Sequence, residues 1–290
     1  MIWSLFQKPK EAHVLINELN SNNPDVSKAA YRELLDNTAE DCDSLLMNAL
    51  NSPDIAKETK LAIISILGHR GTEEAIVPFK KYLKNDDVEL RKALIDALFE
   101  IGTSESIDLL VNLLATENDN LKQIITNHIS RLPSSEALGS LLRCVPDDKN
   151  SQLYFEIVSI MEELDLFDTL KSNFSQSDPL IKDFYFSSII KFNRPDFIPL
   201  YLSYYPIAPN SNKEKTIEIL NEYQFNDLIN YTEDYIRRYG TDGLINLIDQ
   251  VIIARQRESI LSTLKFVISI KDSKYKIKVL PNLLKHVDPY

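Results

Sequence analysis

The chain has 290 residues, 44% of them hydrophobic, with only six glycines and a formal net charge of −11. A turn-rich β protein needs more glycine for its hairpins. A phosphate-backbone binder needs clustered Lys and Arg, so the composition argues against both. Cys42 and Cys144 lie far apart in sequence, which argues against a disulfide framework and points to a reducing, cytoplasmic compartment.

In chain order, residues 1–6 are apolar, but Lys8 and Lys10 follow them. A secretory signal carries its charge before the apolar run, so this segment is expected to cap the first repeat. No run of eighteen apolar residues exists to span a membrane. A repeated frame then begins. Its marker position holds Lys28, Lys57, Arg91, Lys122, Tyr154, Lys182 and Lys213, at intervals of 28 to 34 residues. In the stretch 90–102, Leu90, Ala93, Leu94, Ala97, Leu98 and Ile101 fall on one face of an α-helix. The small Ala97 lets a neighbouring helix come close, and Gly68 and Gly102 suit left-handed C-caps. A second helix follows each first one, after Thr72-Glu73-Glu74 and after Thr103. Each basic marker is expected to bond an acid or a loop carbonyl of the next unit.

Leu90-Arg91 followed by Ala93, Ala97, Leu98 and Gly102 resembles the valine-arginine-alanine-leucine-glycine pattern of HEAT repeats. It is most similar to the short bacterial PBS-lyase HEAT-like variety. Ala75-Ile76-Val77-Pro78-Phe79 and Phe197-Ile198-Pro199-Leu200 resemble that family's second helix. The resemblance implies an all-α fold, an α-solenoid of stacked helix-turn-helix repeats with about eight to nine units. The whole chain, 1–290, reads as one array. Its repeats are clearest over 52–145, looser and aromatic-rich over 146–240, and end in an irregular basic cap over 241–290. The resemblance also implies an alternative function, a phycobilin lyase subunit or a chaperone-like relative.

His13, His69, His128 and His286 are the residues on which a catalytic or metal signature would rest. None forms a His-Glu-x-x-His or Cys-x-x-Cys pattern, so no catalytic residue, cofactor or metal is expected. Aromatic residues are the more informative signal. Phe197, Tyr201, Tyr204 and Tyr205 share one second helix, with Tyr231 and Tyr235 in the next unit. Tyrosine at such positions is enriched at interfaces, so these six are the expected partner-binding residues. The competing reading is that the rings fill a core short of leucine. Residues 204–212 read as the longest linker, marking a bend or hinge. The resulting expectation is a non-enzymatic scaffold that holds another protein, with no nucleic acid bound. A further alternative is an immunity or inhibitor protein neutralising a basic partner.

Overall fold

Helix starts follow the polar residue that precedes each apolar run. In a computed structural model that describes residues 10–192 and 194–285, Asp87, Thr103, Asn118, Ser151, Ser259 and Asp272 each accept a backbone N–H from two or three residues ahead. These bonds satisfy donors that the first helical turn leaves unpaired. The described residues contain no strand. The apolar segment 1–6 and His286 lie outside the described residues.

The chain divides into two units by packing. The first runs to Cys144 and includes Asn150–Leu164. Its helices are α1 (Ala12–Leu19), α2 (Pro24–Leu35), α3 (Cys42–Leu50), α4 (Lys57–His69), α5 (Ile76–Tyr82), α6 (Val88–Ile101), α7 (Ser104–Leu113), α8 (Asp119–Ser130), α9 (Ser134–Cys144) and α10 (Gln152–Glu163). First helices stack in the order α2, α4, α6, α8, while second helices pack as α1 on α3 and α7 on α9. The core is the two-sided layer between these rows, where Leu34, Ile63, Leu67, Leu94, Leu98, Leu110 and Ile125 are fully buried. Leu90, Ala97 and Ile101 are also buried, as their helical spacing predicts, whereas Ala93 is half-buried.

The close approach expected at Ala97 is present, with Gly68 as its other half. A Cβ added at Gly68 would stand 2.7 Å from the Ala97 Cα. Gly68 therefore serves as a helix-crossing point inside α4 and not as the expected C-cap. The left-handed turn after that helix falls at Gly71, φ 67°. Gly102 does cap α6 in the left-handed region, φ 67°. In the second helix of this pair, a 3-10 turn over Glu73–Ala75 leads into α5. Pro78 lacks an N–H and belongs in this first turn, where that donor has no helical acceptor.

Three of the basic markers tie one repeat to the next. Lys57 pairs with Asp87 at 2.6 Å and Glu89 at 2.8 Å. Arg91 pairs with Glu117 at 3.3 Å, and Lys122 with Glu156 at 2.6 Å. Arg70 instead reaches back to cap α2, donating to the carbonyls of Leu34 and Asn37 as well as to Asp43.

The second unit comprises Val145–Lys149 and the chain from Asp165. It holds α11 (Leu166–Gln176), α12 (Pro179–Ile189), α13 (Ile198–Tyr204), α14 (Asn210–Glu222), α15 (Phe225–Tyr239), α16 (Ile245–Ile248), α17 (Ile260–Ser269) and α18 (Ser273–Leu284). A π-helical turn over Asp249–Ile253 prolongs α16. The second helices α11, α13, α15 and α17 pack in succession as one row. Here the markers Lys182 and Lys213 lie 5.9 and 5.8 Å from the ring centres of Phe174 and Tyr205, so a cation on an aromatic face replaces the ion pair. The stretch 204–212 is not an open linker. A 3-10 turn over Tyr205–Ile207 joins α13 almost directly to α14, and the buried rings of Tyr204 and Tyr205 hold it in the core. In the basic C-terminal stretch, Lys278 and the Tyr275 hydroxyl both meet Asp249.

Candidate functional site

The six aromatic residues singled out from sequence divide into two groups. Phe197, Tyr201, Tyr204 and Tyr205 are buried, with exposures of 0, 0, 1 and 4%. They do not form the expected surface, because these four rings point into the core, while α13 shows only Pro199, Leu200 and Ser203 to the groove described below. The three tyrosine hydroxyls are bonded, which makes burial tolerable. Tyr201 donates to the Ile189 carbonyl at 3.2 Å, and Tyr204 donates to Asp183. The Tyr205 hydroxyl accepts from Asn246 at 3.1 Å. Phe186 and Phe174 pack tilted and edge-on against Tyr204, at 5.0 and 5.8 Å. Burial, reinforced by the nearby Tyr223, keeps the Tyr201 hydroxyl protonated far above its ordinary range.

Tyr231 and Tyr235 stand apart from that core. They lie on α15 with Tyr239, at positions i, i+4 and i+8, along one wall of an open groove of about 460 Å³. The opposite wall is Pro199, Leu200 and Ser203 of α13. Tyr231 and Tyr235 are half-buried, while Tyr239 is 70% exposed. The rings of Tyr235 and Tyr239 are 4.8 Å apart. Burial, then the neighbouring Tyr239, raises the Tyr235 hydroxyl above its ordinary value of 10, so it remains a neutral donor. Lys182 and Arg238 supply positive charge at the rim. Arg238 forms no ion pair among the described residues, while Asp234 is paired with Arg237 at 3.4 Å.

The groove thus offers flat rings, an aliphatic floor, hydroxyl donors and two cations. Those are the groups that recognise a mixed apolar and polar surface. Tyr239 was not singled out from sequence, although continuing the four-residue spacing beyond Tyr235 reaches it. Leu200 gave no signal, because the run around it is apolar throughout.

His69 and His128 have structural partners. His69 bonds the Ser65 carbonyl at 3.1 Å, one turn back on its own helix. His128 stacks on Phe99 at 4.3 Å and bonds Asp96 at 2.8 Å. Cys42 and Cys144 are both free. Burial, then the Asp108 carboxylate, pushes the Cys144 thiol up to about 12, so it is not a poised nucleophile. Among the described residues no group of three or more His, Cys, Asp and Glu is placed to hold a metal ion. No helix in them is long and apolar enough to cross a membrane.

Solved structures similar to this chain include two of low identity. One comes from the complex of CpcE and CpcF of phycocyanin lyase from Nostoc sp. PCC7120. It is 15% identical, with 85% of this chain and 97% of that chain covered, at a TM-score of 0.35. The other is an engineered protein, 14% identical over 97% of this chain and 85% of that one, at a TM-score of 0.33. Comparison with curated proteins gives no match. The family described as HEAT repeats matches residues 12–98 and 45–127. Those matches span α1 to α8, where the paired helices, the Gly68–Ala97 crossing and the inter-repeat ion pairs are found. Over residues 12–127 this chain is similar to HEAT repeats.

Proposed function

We propose that the chain is a non-enzymatic scaffold that binds a partner protein on its row of second helices. The observation that carries this reading is the groove between α13 and α15, with Tyr231, Tyr235 and Tyr239 along one wall. Tyrosine presents a large contact area with few rotatable bonds, so it loses little entropy on binding. Leu200 and Pro199 across the groove give those rings an apolar surface to work with. A cytoplasmic location is part of the proposal, supported by two free thiols in a chain that uses no disulfide.

The test is affinity capture from the native host with the wild type and with the double variant Tyr231→Ala/Tyr235→Ala, at low and high salt. Both residues are half-buried at the groove wall, so the variant should remain folded. A partner held by the rings should be retained at high salt and lost with the variant, since screening weakens exposed charges and not apolar contact. Equal recovery by a folded double variant would remove the groove from the proposal. A partner released by salt alone would instead favour an acidic protein neutralising a basic one. An absorbance change on mixing with a bilin would favour the chromophore-handling alternative.

A further inference from the structure

The first unit carries another open groove on its second helices, chemically unlike the tyrosine groove. It has a volume of about 580 Å³ and lies between the C-terminal ends of α5 and α7. Its floor is Leu83, Leu109 and Leu113, all half-buried, and its rim is Lys80, Lys81 and Lys84, all exposed. Val77, 64% exposed, sits one turn before Lys81 on the same helix face. Lys80 is paired with Glu105 at 2.8 Å. Lys81 and Lys84 form no ion pair among the described residues. The carbonyl ends of the two helices offset part of this charge, yet two lysines still lack a counter-charge.

That combination is unusual for this chain. It holds 43 acidic residues against 32 basic ones, yet three lysines within five positions surround an apolar floor. A leucine floor offers nothing to a phosphate backbone, and the lining holds no aromatic ring on which a base could stack. A concave groove also fits a flat membrane surface poorly. A helix with leucines on one side and carboxylates flanking them matches both the floor and the rim.

We propose that this groove docks an acidic, leucine-bearing amphipathic helix of a partner protein. The apolar side chains, spaced i, i+3 or i+4 and i+7, rest on Leu83, Leu109 and Leu113. The flanking carboxylates face Lys81 and Lys84. This surface stands on its own residues, and a failure at either groove leaves the other reading intact.

The test uses the full chain. A displayed library of random peptides of about 16 residues, enough for a helix of about 24 Å, is selected on it. The best binder is then synthesised and measured by fluorescence anisotropy. The enriched peptides should be acidic, with leucines at helical spacing. The variant Lys81→Glu/Lys84→Glu should weaken binding by at least about tenfold, as should a rise from about 0.1 to 0.5 M salt, because the rim is exposed and screened. Tyr231→Ala/Tyr235→Ala should leave this affinity unchanged. Circular dichroism checks the fold of the charge-reversal variant. Lys81→Gln/Lys84→Gln provides a milder second reading, with a loss of about threefold. The proposal is overturned if no peptide is enriched, if the enriched peptides are basic, or if affinity is unaltered in both lysine variants. It is also overturned if a poly-dT oligonucleotide or anionic vesicles displace the peptide with equal affinity.

Discussion

Two glycines inside helices make opposite predictions when changed to alanine. Gly68 lies in α4 against α6, and an added Cβ would meet the Ala97 Cα at 2.7 Å, its Cβ at 2.8 Å and its carbonyl oxygen at 3.2 Å. Carbon atoms rest at about 3.5–4.0 Å, so the overlap with the Cα is close to 1 Å. Backbone cannot rotate away, and the two helices must separate. That movement loosens the layer formed by Ile63, Ile64, Leu67, Leu94 and Leu98, all fully buried. Overpacking of this kind costs about 1–3 kcal/mol, and alanine recovers about 0.8–1 kcal/mol of helix propensity, leaving a net loss of up to about 2 kcal/mol. Gly139 in α9 has only the Arg143 Nη1 within reach, at 3.4 Å. Its replacement should stabilise by about 0.5–1 kcal/mol. Urea unfolding followed by circular dichroism separates the two signs. Adding Ala97→Gly to Gly68→Ala should restore only part of the loss, because the overlap with the residue 97 backbone remains. A Gly68→Ala variant as stable as Gly139→Ala would refute the close-crossing argument.

Leu98, fully buried between the helix rows, should lose about 2–5 kcal/mol on change to alanine, and a shift under about 0.5 kcal/mol in the same urea titration would contradict its place in the core. The Arg91–Glu117 pair buries a carboxylate that is 4% exposed beside a guanidinium that is 20% exposed, without an aligned hydrogen bond. Arg91→Ala should therefore cost about 2–3 kcal/mol, less than for a fully buried pair, while Arg91→Met with Glu117→Leu should be near neutral; a double variant as unstable as the single one would point to another cause. Cys144, with its thiol pushed up to about 12, should react far more slowly with a thiol reagent at mild alkaline pH than in denaturant, and fast labelling of the native chain would contradict that. Burial raises the carboxyls of Glu156 and Asp196, but bonds from Lys122 and Gln152 to the first, and from Lys171 and Arg194 to the second, outweigh it, so both lie below their ordinary values of 4.5 and 3.8. The unfolded chain then binds more protons in that range, so their stabilisation is complete above about pH 4.5 and is lost as pH falls through the lower folded values. Glu156→Gln should flatten part of that acid slope, and an unchanged slope would rule out its contribution.

Much of the repeat is legible because its signals are local. The face of α6 follows from 3.6-residue periodicity, and Asp87, Thr103 and Gly102 cap it or its neighbour through bonds within a few residues. The basic markers are legible as a residue type. Their partners are not, since Asp87, Glu117 and Glu156 lie about 30 residues ahead among many other acids. Gly68 looks like a cap in sequence, because its true role depends on Ala97 of a different helix.

The aromatic region shows where local signals end. Sequence alone determined that the chain is helical, paired and repeated, since period, caps and small residues are properties of neighbouring positions. It could not orient α13, because Phe197, Ile198, Leu200, Tyr201, Leu202 and Tyr204 surround Ser203, and one small polar residue is too weak a mark of the solvent side. Only the tertiary structure decided that those rings are core, through hydroxyl bonds to Ile189, Asp183 and Asn246, which lie up to 41 residues away. The same packing left Tyr231 and Tyr235 at a groove, because α15 is amphipathic and turns that edge away from the core. A tyrosine suits either setting, and the partner available to its hydroxyl decides which one it occupies.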